Sequence, residues 1–221
     1  MVRFTAANKG QASVRPPCRS MDWGQPGMAP GDETMLDNLR IRLALRAAQP
    51  ALKRCSGVVH INDALRTPRA LVVFFPRETE ELAAAERETA RLASALGVVR
   101  FLLVRYAPTV RHAELVGTSV EWSDDDIGLF LPKRQASRRV LAALSRGKPA
   151  DIAVDLNRRF CLPTAYWTAK SEARLRIGFK TAWSGSFFNL EYQPRNPDAP
   201  AQLRYRGLVN FVLSLAGRLE A

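Results

Sequence analysis

Hydrophobic and polar residues follow an alternating block pattern along most of this chain of 221 residues. The block ALVVFF (70–75) is continuously apolar and rich in Val and Phe, as is typical of a strand buried on both faces. Beyond Pro76, apolar residues recur at helical spacing until Gly97, which we expect to end a helix. The block VVRFLLVRY (98–106) is again typical of a strand. This order predicts a βαβ unit with parallel strands.

The same order then repeats towards the C-terminus. Further strands are predicted in the blocks TSVEW (118–122), DIAVDL (151–156), RLRIGF (174–179) and FFNLEY (187–192). Helical spacing predicts helices at 133–147, with Gly147 as its stop, at 163–173 and at 201–219. The sequence therefore predicts an α/β domain over 67–221, a Rossmann-like, doubly wound and mostly parallel sheet with helices on both faces.

A basic amphipathic helix and a linker are predicted before this domain, over residues 35–66. The helix covers 36–54 and places Arg42, Arg46 and Lys53 on one stripe. Pro50 should kink or end it after Gln49. The wide apolar face favours packing on the domain or on a second copy of the helix, which would make a homodimer through 36–54, over lying on a membrane surface.

Residues 1–34 are rich in Gly, Pro, Ser and Ala and have no hydrophobic period. This composition predicts a disordered tail. A second interpretation is that translation begins at Met35, directly before the helix, and that the tail is not made.

The formal net charge of +12 favours an anionic partner: a phosphorylated ligand, an anionic membrane surface or an acidic partner protein. Nucleic acid is an unspecific alternative, because the aromatic residues are assigned to strands and core rather than to exposed stacking positions.

The cysteine and histidine content argues against several classes of site. Three cysteines without a CxxC pair and two histidines predict neither a disulfide framework nor a metal site, and we predict no cofactor. No apolar run is long enough for a transmembrane segment. The expected location is the cytoplasm, with the inner membrane surface as an alternative.

The richest candidate site is the segment DLNRRFCLP (155–163), because ligands of open α/β sheets lie beyond the carboxyl ends of the strands. There Asp155 ends a strand, and Asn157, Arg158 and Arg159 precede a helix. Guanidinium groups beside a helix N-terminus are suited to an anion. The alternative is that Asp155 and Asn157 only order the loop while both arginines are solvated.

Arg77 lies in the corresponding loop after the first strand, PRETEE (76–81), and is the fifth candidate ligand-binding residue. Neither GxGxxG nor GxxxxGK[ST] occurs in the chain, so neither phosphate-binding motif is present. The acids at 124–126 could hold a hard cation, but a solvated turn is the favoured interpretation. Ser184 lacks the context of a nucleophile elbow, so no hydrolase triad is predicted.

The segment 149–179, PADIAVDLNRRFCLPTAYWTAKSEARLRIGF, resembles the heptosyltransferase family, which transfers heptose from ADP-heptose to lipopolysaccharide. In that family a strand ending in Asp leads to a helix of small residues and then to an RIGF strand. The order of elements over 67–217 is similar to the N-terminal half of these GT-B enzymes. The chain also resembles a bacterial family of unknown function with a similar basic leading helix, DLN core and final helix.

Two departures from the heptosyltransferase pattern affect the predicted function. The resemblance implies a Gly-Asp pair in the first loop, with the Asp as catalytic base, but FFPRETEEL (74–82) has no such pair. We also expect the sugar-nucleotide-binding half of a GT-B enzyme to be absent. We therefore predict a non-catalytic binding protein; the alternatives are a glycosyltransferase-like enzyme or subunit of cell-envelope glycan synthesis, and a nucleic-acid-associated protein.

Overall fold

A computed structural model of the protein describes residues 33–54, 59–112, 115, 118–128, 131–144 and 150–218. The predicted tail lies outside these residues up to position 32, and so does Gly147, the predicted stop of the third helix.

The described helices and strands follow the predicted order. The helices are α1 (Glu33–Arg54), α2 (Ile61–Arg66), α3 (Thr79–Leu96), α4 (Arg134–Leu144), α5 (Leu162–Lys170) and α6 (Ala201–Leu215). The strands are β1 (Ala70–Phe74), β2 (Arg100–Tyr106), β3 (Thr118–Trp122), β4 (Ile152–Asp155), β5 (Leu175–Phe179) and β6 (Leu190–Tyr192). Short 3₁₀ helices cover Ala107–His112, Asp124–Asp126 and Ser184–Ser186.

The described strands form one six-stranded sheet in the order β3-β2-β1-β4-β5-β6. Every neighbouring pair is parallel. The predicted Rossmann-like, doubly wound α/β fold is therefore confirmed.

Helices cover both faces of the sheet and divide the core into two layers. Alternate residues of β1 face opposite ways: Val72 and Phe74 pack with α1, α4 and α5, whereas Leu71 and Val73 pack with α3 and α6. A central parallel strand has no solvated face, which explains why the block at 70–75 is continuously apolar.

Gly97 ends α3 as predicted. It adopts a left-handed conformation with φ of 65°, and its N–H donates to the carbonyls of Ala93 and Ser94. A residue with a side chain would be strained at this φ, whereas glycine adopts it readily.

Pro50 does not end the helix after Gln49, one of the two outcomes predicted for it, because α1 continues through it to Arg54. Ala48 and Ala51 on either side of Pro50 are both buried, and Lys170 of α5 donates to the carbonyl of Ala47 at 3.2 Å. Packing on α5 thus holds both sides of the proline in the helix and offsets the hydrogen bond that proline cannot donate.

Several element boundaries also differ from the sequence-based expectation. α1 begins at Glu33, within the predicted tail, and α2 was not predicted at all. The last strand is shorter than FFNLEY, since Phe187 and Phe188 pack in the core before the strand begins. In the described part of the chain, no helix is long and apolar enough to cross a membrane.

A buried polar cluster joins α3 and α6 beneath the end of β4. Glu81 accepts hydrogen bonds from the guanidinium group of Arg204 and from the hydroxyl of Tyr205. The Tyr205 hydroxyl also lies 3.1 Å from the carbonyl oxygen of Leu156. Because Leu156 directly follows β4, this cluster fixes the loop that carries most of the candidate site.

Candidate ligand site at the carboxyl edge of the sheet

The sheet changes winding direction between β1 and β4, which are neighbours although they are not consecutive in the chain. The chain leaves β1 towards β2 on one side and leaves β4 towards β5 on the other. A crevice therefore opens beyond their carboxyl ends, as in other doubly wound sheets. α3 and α5 both begin at this edge, so their N-terminal ends border the crevice from opposite faces of the sheet.

Asp155 ends β4 with only 3% of its surface exposed. One carboxylate oxygen accepts from the backbone N–H and the side-chain amide of Asn157, at 3.0 and 2.7 Å. The other accepts from the hydroxyl of Thr164 at 2.7 Å. These bonds tie the end of the strand to the first turn of α5.

Burial raises the pKa of Asp155 to about 6, although the hydrogen bonds from Asn157 and Thr164 act in the opposite direction. Cys161 is also buried, and burial raises the pKa of its thiol to about 12. The thiol is therefore protonated at neutral pH and is not suited to be a nucleophile.

Asn157 is itself buried and links the two loops of the crevice. Its side-chain amide lies 3.5 Å from the carbonyl oxygen of Phe75, the residue that follows β1. The same amide lies 3.2 Å from the Thr164 hydroxyl. Asp155 and Asn157 thus order the loop and set the distance between the ends of β1 and β4.

Arg77 extends from the loop after β1 towards the neighbouring strands β2 and β3. Its guanidinium group donates to Asp124 at 2.6 Å and to the hydroxyl of Tyr106 at 3.3 Å. The guanidinium carbon lies 4.6 Å from the centre of the Tyr106 ring and 5.5 Å from that of Trp122. Arg77 is therefore a half-buried cation held by an ion pair and two aromatic faces.

The hydroxyl of Tyr106 donates to the second oxygen of Asp124 at 2.5 Å. Burial raises the pKa of Tyr106, and the hydrogen bond to Asp124 acts in the same direction. The hydroxyl therefore remains a proton donor at neutral pH, and Asp124 is bound from two sides.

The two remaining candidates lie in the loop after β4. Arg158 is half-buried and Arg159 is exposed. Within the described part of the chain, no group forms a hydrogen bond or an ion pair with Arg158. A half-buried guanidinium group with unused donors beside the start of α5 is suited to bind an anion.

The structure thus divides the five predicted residues into two sets. Asp155 and Asn157 contact each other inside the protein, whereas Arg77 is paired with Asp124 and the guanidinium groups of Arg158 and Arg159 are at least partly exposed. Sequence reasoning missed the role of Tyr106, the last residue of β2. It also missed Thr164, and nothing local in the sequence signals that Thr164 contacts Asp155.

The acids at 124–126 do not converge on one point. Asp124 binds Arg77 and Tyr106, whereas Asp126 accepts from Arg139 at 2.6 Å and from the backbone N–H of Ser123 at 2.9 Å. The Ser123 and Asp126 contacts form a capping box at the start of a 3₁₀ helix. These acids therefore hold arginines and cap a turn.

The fold is similar to that of known glycosyltransferases. A glycosyl transferase of family 9 from Veillonella parvula matches with a TM-score of 0.50 and 15% sequence identity, covering 70% of this chain and 42% of that one. The E. coli heptosyltransferase WaaC with ADP matches with a TM-score of 0.47 and 12% identity, covering 65% and 46%. The resemblance expected from the sequence is confirmed at the level of the fold.

The chain spans less than half the length of these glycosyltransferases. No protein-family model matches the sequence, and no curated protein matches it either.

Proposed function

We propose that the protein is a non-catalytic α/β binding protein that holds a phosphorylated ligand in the crevice between β1 and β4. The observation that carries the proposal is the distribution of charged groups between the two loops at this edge of the sheet. The loop after β1 contributes a cation, Arg77, and the one carboxyl group at the end of β4, Asp155, is enclosed by its own loop.

The charges of the crevice favour an anion. Among the described residues Arg158 has no hydrogen-bond partner, and the exposed Arg159 adds positive charge beside it, whereas the charge of Arg77 is balanced by Asp124. The N-terminal end of α5 contributes the positive end of its dipole. Phosphate groups suit such a site because guanidinium groups bind their oxygens in pairs.

The buried state of Asp155 argues against a catalytic base at this position. A general base must lie within hydrogen-bonding distance of the proton that it removes from the substrate. Both oxygens of Asp155 are occupied by Asn157 and Thr164, and the side chain is closed to solvent.

A glycosyltransferase-like activity is the second candidate, favoured by the position of Glu78. This half-exposed carboxyl group directly follows Arg77 and stands before the first turn of α3. If the protein transferred a sugar, Glu78 would be the base, and Glu78→Gln would abolish release of ADP from an ADP-sugar. We expect no such release from the unmodified protein; release that depended on Glu78 would overturn the non-catalytic proposal.

The binding proposal is tested by thermal unfolding in the presence of pyrophosphate, ADP and a panel of nucleotide sugars. A ligand at about 100 times its Kd stabilises the folded state by about 2.7 kcal/mol, which raises Tm by roughly 5 °C or more for a domain of this size. Arg158→Ala should remove most of this rise. Arg174→Ala is the matched control, because Arg174 is exposed at the amino end of β5, on the opposite edge of the sheet.

Three outcomes would contradict the proposal: no rise in Tm with any of these probes, an equal loss in both variants, or no loss in either.

The wider proposals are a cytoplasmic location, an acidic partner or anionic membrane surface facing α1, and a homodimer through 36–54. The acidic partner and the membrane surface rest on the basic stripe of α1, whose residues Arg42, Arg46 and Lys53 are exposed, whereas the homodimer rests on the width of the apolar face of the same helix.

A further inference from the structure

The proposed function makes no use of the carboxyl group of Asp155, although this acid lies at the base of the crevice. The side chain is buried, and within the described part of the chain no cation forms an ion pair with it. Burial raises its pKa to about 6, although the hydrogen bonds from Asn157 and Thr164 act in the opposite direction. A buried carboxylate without a cation is costly, so this group changes its charge close to neutral pH.

The hydroxyl group of Thr164 lies between two acceptors but has only one proton to donate. Its oxygen is 2.7 Å from one carboxyl oxygen of Asp155 and 3.1 Å from the carbonyl oxygen of Cys161. When Asp155 is ionised, its charged oxygen is the stronger acceptor, so the hydroxyl proton points to Asp155. The carbonyl of Cys161 then accepts from the backbone N–H of Ala165 alone among the described residues, at 3.0 Å.

Protonation of Asp155 reverses these bonds without requiring any heavy atom to move. The carboxyl proton donates to the hydroxyl oxygen of Thr164, and the hydroxyl proton turns to the carbonyl oxygen of Cys161. The second carboxyl oxygen continues to accept from the backbone N–H and the side-chain amide of Asn157, at 3.0 and 2.7 Å. Every hydrogen of this network has an acceptor in both states, so the loop accommodates either charge.

Two titratable side chains interact electrostatically with this network on the face of the sheet that α5 covers. Cys161 is one, and burial followed by the charge of Asp155 raises the pKa of its thiol to about 12, so it stays neutral. Arg77 is the other, and its charge is balanced by Asp124. The strand neighbours of Asp155 are Phe74 and Gly178, which carry no charge. The polar groups that pack on the opposite face of β4 are Glu81, Arg204 and Tyr205.

The charge of Asp155 acts on the ligand site from beneath it. Arg158 follows Asp155 by three residues, so their Cα atoms are at most about 11 Å apart. At such a distance a negative charge repels a bound phosphate, and salt screens this repulsion only in part. We infer that Asp155 and Thr164 form a proton-dependent switch: the crevice binds phosphate groups more tightly when Asp155 is protonated than when it is ionised.

This inference rests on the proposed function, because the switch regulates the same site. Binding and protonation are reciprocal: if the proton on Asp155 strengthens phosphate binding, a bound phosphate strengthens proton binding by the same factor. The ligand would therefore be held more tightly in slightly acidic surroundings and released as pH rises.

The reversal of the hydrogen bonds is tested without a ligand, by ¹³C NMR of the full chain between pH 4 and 8. The carboxyl carbon of Asp155 and the carbonyl carbon of Cys161 should titrate together, with a midpoint near 6. Thr164→Val lacks the hydroxyl and should remove most of the change at Cys161, whereas Thr164→Ser should retain it. An Asp155 midpoint near the ordinary value of about 4 would refute the switch and leave the proposed function standing. So would an equal change at Cys161 in Thr164→Val.

The effect on binding is tested with the panel of nucleotide sugars, whose phosphate groups do not titrate between pH 5 and 8. Asp155→Asn places an amide N–H where the protonated carboxyl group has its proton, so it holds the network in the neutral arrangement. At pH 8 this variant should bind about threefold more tightly than the unmodified protein, the order expected of a screened charge at this distance. At pH 5 the two affinities should be nearly equal.

Asp125→Asn is the matched control, because it removes the charge of an exposed carboxyl group after β3. The ratio of its affinity to that of the unmodified protein should be the same at pH 5 and pH 8. A constant ratio for Asp155→Asn, or an equally large change for Asp125→Asn, would overturn the switch but not the binding site. If no nucleotide sugar bound at either pH, the proposed function and this inference would both be wrong.

Discussion

The carboxyl group of Asp155 illustrates how a single residue can lie at a binding edge and still be closed to a ligand. Its position at the end of β4 places it at the crevice, but hydrogen bonds from Asn157 and Thr164 hold its carboxyl group inside the loop. The consequence is a carboxyl group with a raised pKa, which couples the stability of the protein to pH.

Asp155 should make the protein less stable as pH rises from about 4 to about 6. In this range the folded protein retains a proton on Asp155, whose pKa is about 6, whereas the unfolded chain, with a pKa near 4, has released it. The stabilisation is therefore complete below pH 4 and is lost as pH rises through 6. Two pKa units correspond to about 3 kcal/mol.

The measurement is urea unfolding of the unmodified protein and of Asp155→Asn between pH 4 and 7. The difference between their free energies of unfolding should change by about 3 kcal/mol in favour of the variant as pH rises. Asp125→Asn, at an exposed position, is the control and should give a constant difference. Parallel curves for Asp155→Asn would contradict a raised pKa.

Gly178 shows why a residue of β5 must be small. A Cβ atom there would lie 2.5 Å from the ring of Phe188, which is buried. The RIGF motif used for the family resemblance thus contains a glycine with a packing role in this chain. The sequence showed the motif, and the contact with Phe188 explains the glycine physically.

At the scale of elements, α1 is attached to the sheet through α5. Ile41, Ala44, Ala48 and Ala51 recur at helical spacing and are buried, whereas Arg42, Arg46 and Lys53 are exposed. Small residues let the two helices approach closely, and the basic stripe remains outside.

Enlarging Ala48 should detach α1 locally. Ala48→Leu adds three carbon atoms to a closely packed contact and should lower the free energy of opening of α1 by about 1–3 kcal/mol. Hydrogen exchange of the α1 amides measures this change directly. Gln49→Leu, one residue further along on the exposed side, is the control and should change the exchange by less than about 0.5 kcal/mol.

If both variants exchanged equally fast, the packing of α1 on α5 would not be what protects the helix. The ion pair between Arg54 and Glu172 at the end of the contact is exposed and contributes little by itself, because water and salt screen such pairs.

At the scale of the whole molecule, the net charge of +12 is the property that most restricts the choice of partner. A basic surface binds phosphate polymers without sequence specificity, and the affinity falls steeply as salt rises. The exposed stripe of α1 is one concentrated source of this charge.

We expect single-stranded RNA to bind the protein weakly and in a salt-dependent manner, with α1 making part of the contact. Replacing Arg42, Arg46 and Lys53 by Gln should reduce the slope of log affinity against log salt by about 2, because each phosphate contact contributes about 0.7. Replacing the exposed Arg87, Arg174 and Arg195 by Gln removes equal charge elsewhere and should change the slope by less than about 1. Equal effects of the two triple variants would show that the charge acts diffusely.

The sequence by itself determined the fold class and the location of the candidate site. Continuous apolar runs identify strands buried on both faces, helical spacing identifies the crossovers, and together they place 76–81 and 155–163 at one edge of the sheet. The sequence missed α2 and left open whether Pro50 ends or only kinks α1, because a local pattern contains no information on contacts with distant parts of the chain.

The tertiary structure alone decided which side chains are free to bind. Asp155 meets Thr164, and Arg77 meets Tyr106 and Asp124, through contacts between separate elements. Local periodicity specifies helices, strands and their buried faces, whereas burial, pKa and hydrogen bonding depend on neighbours that are distant in the chain.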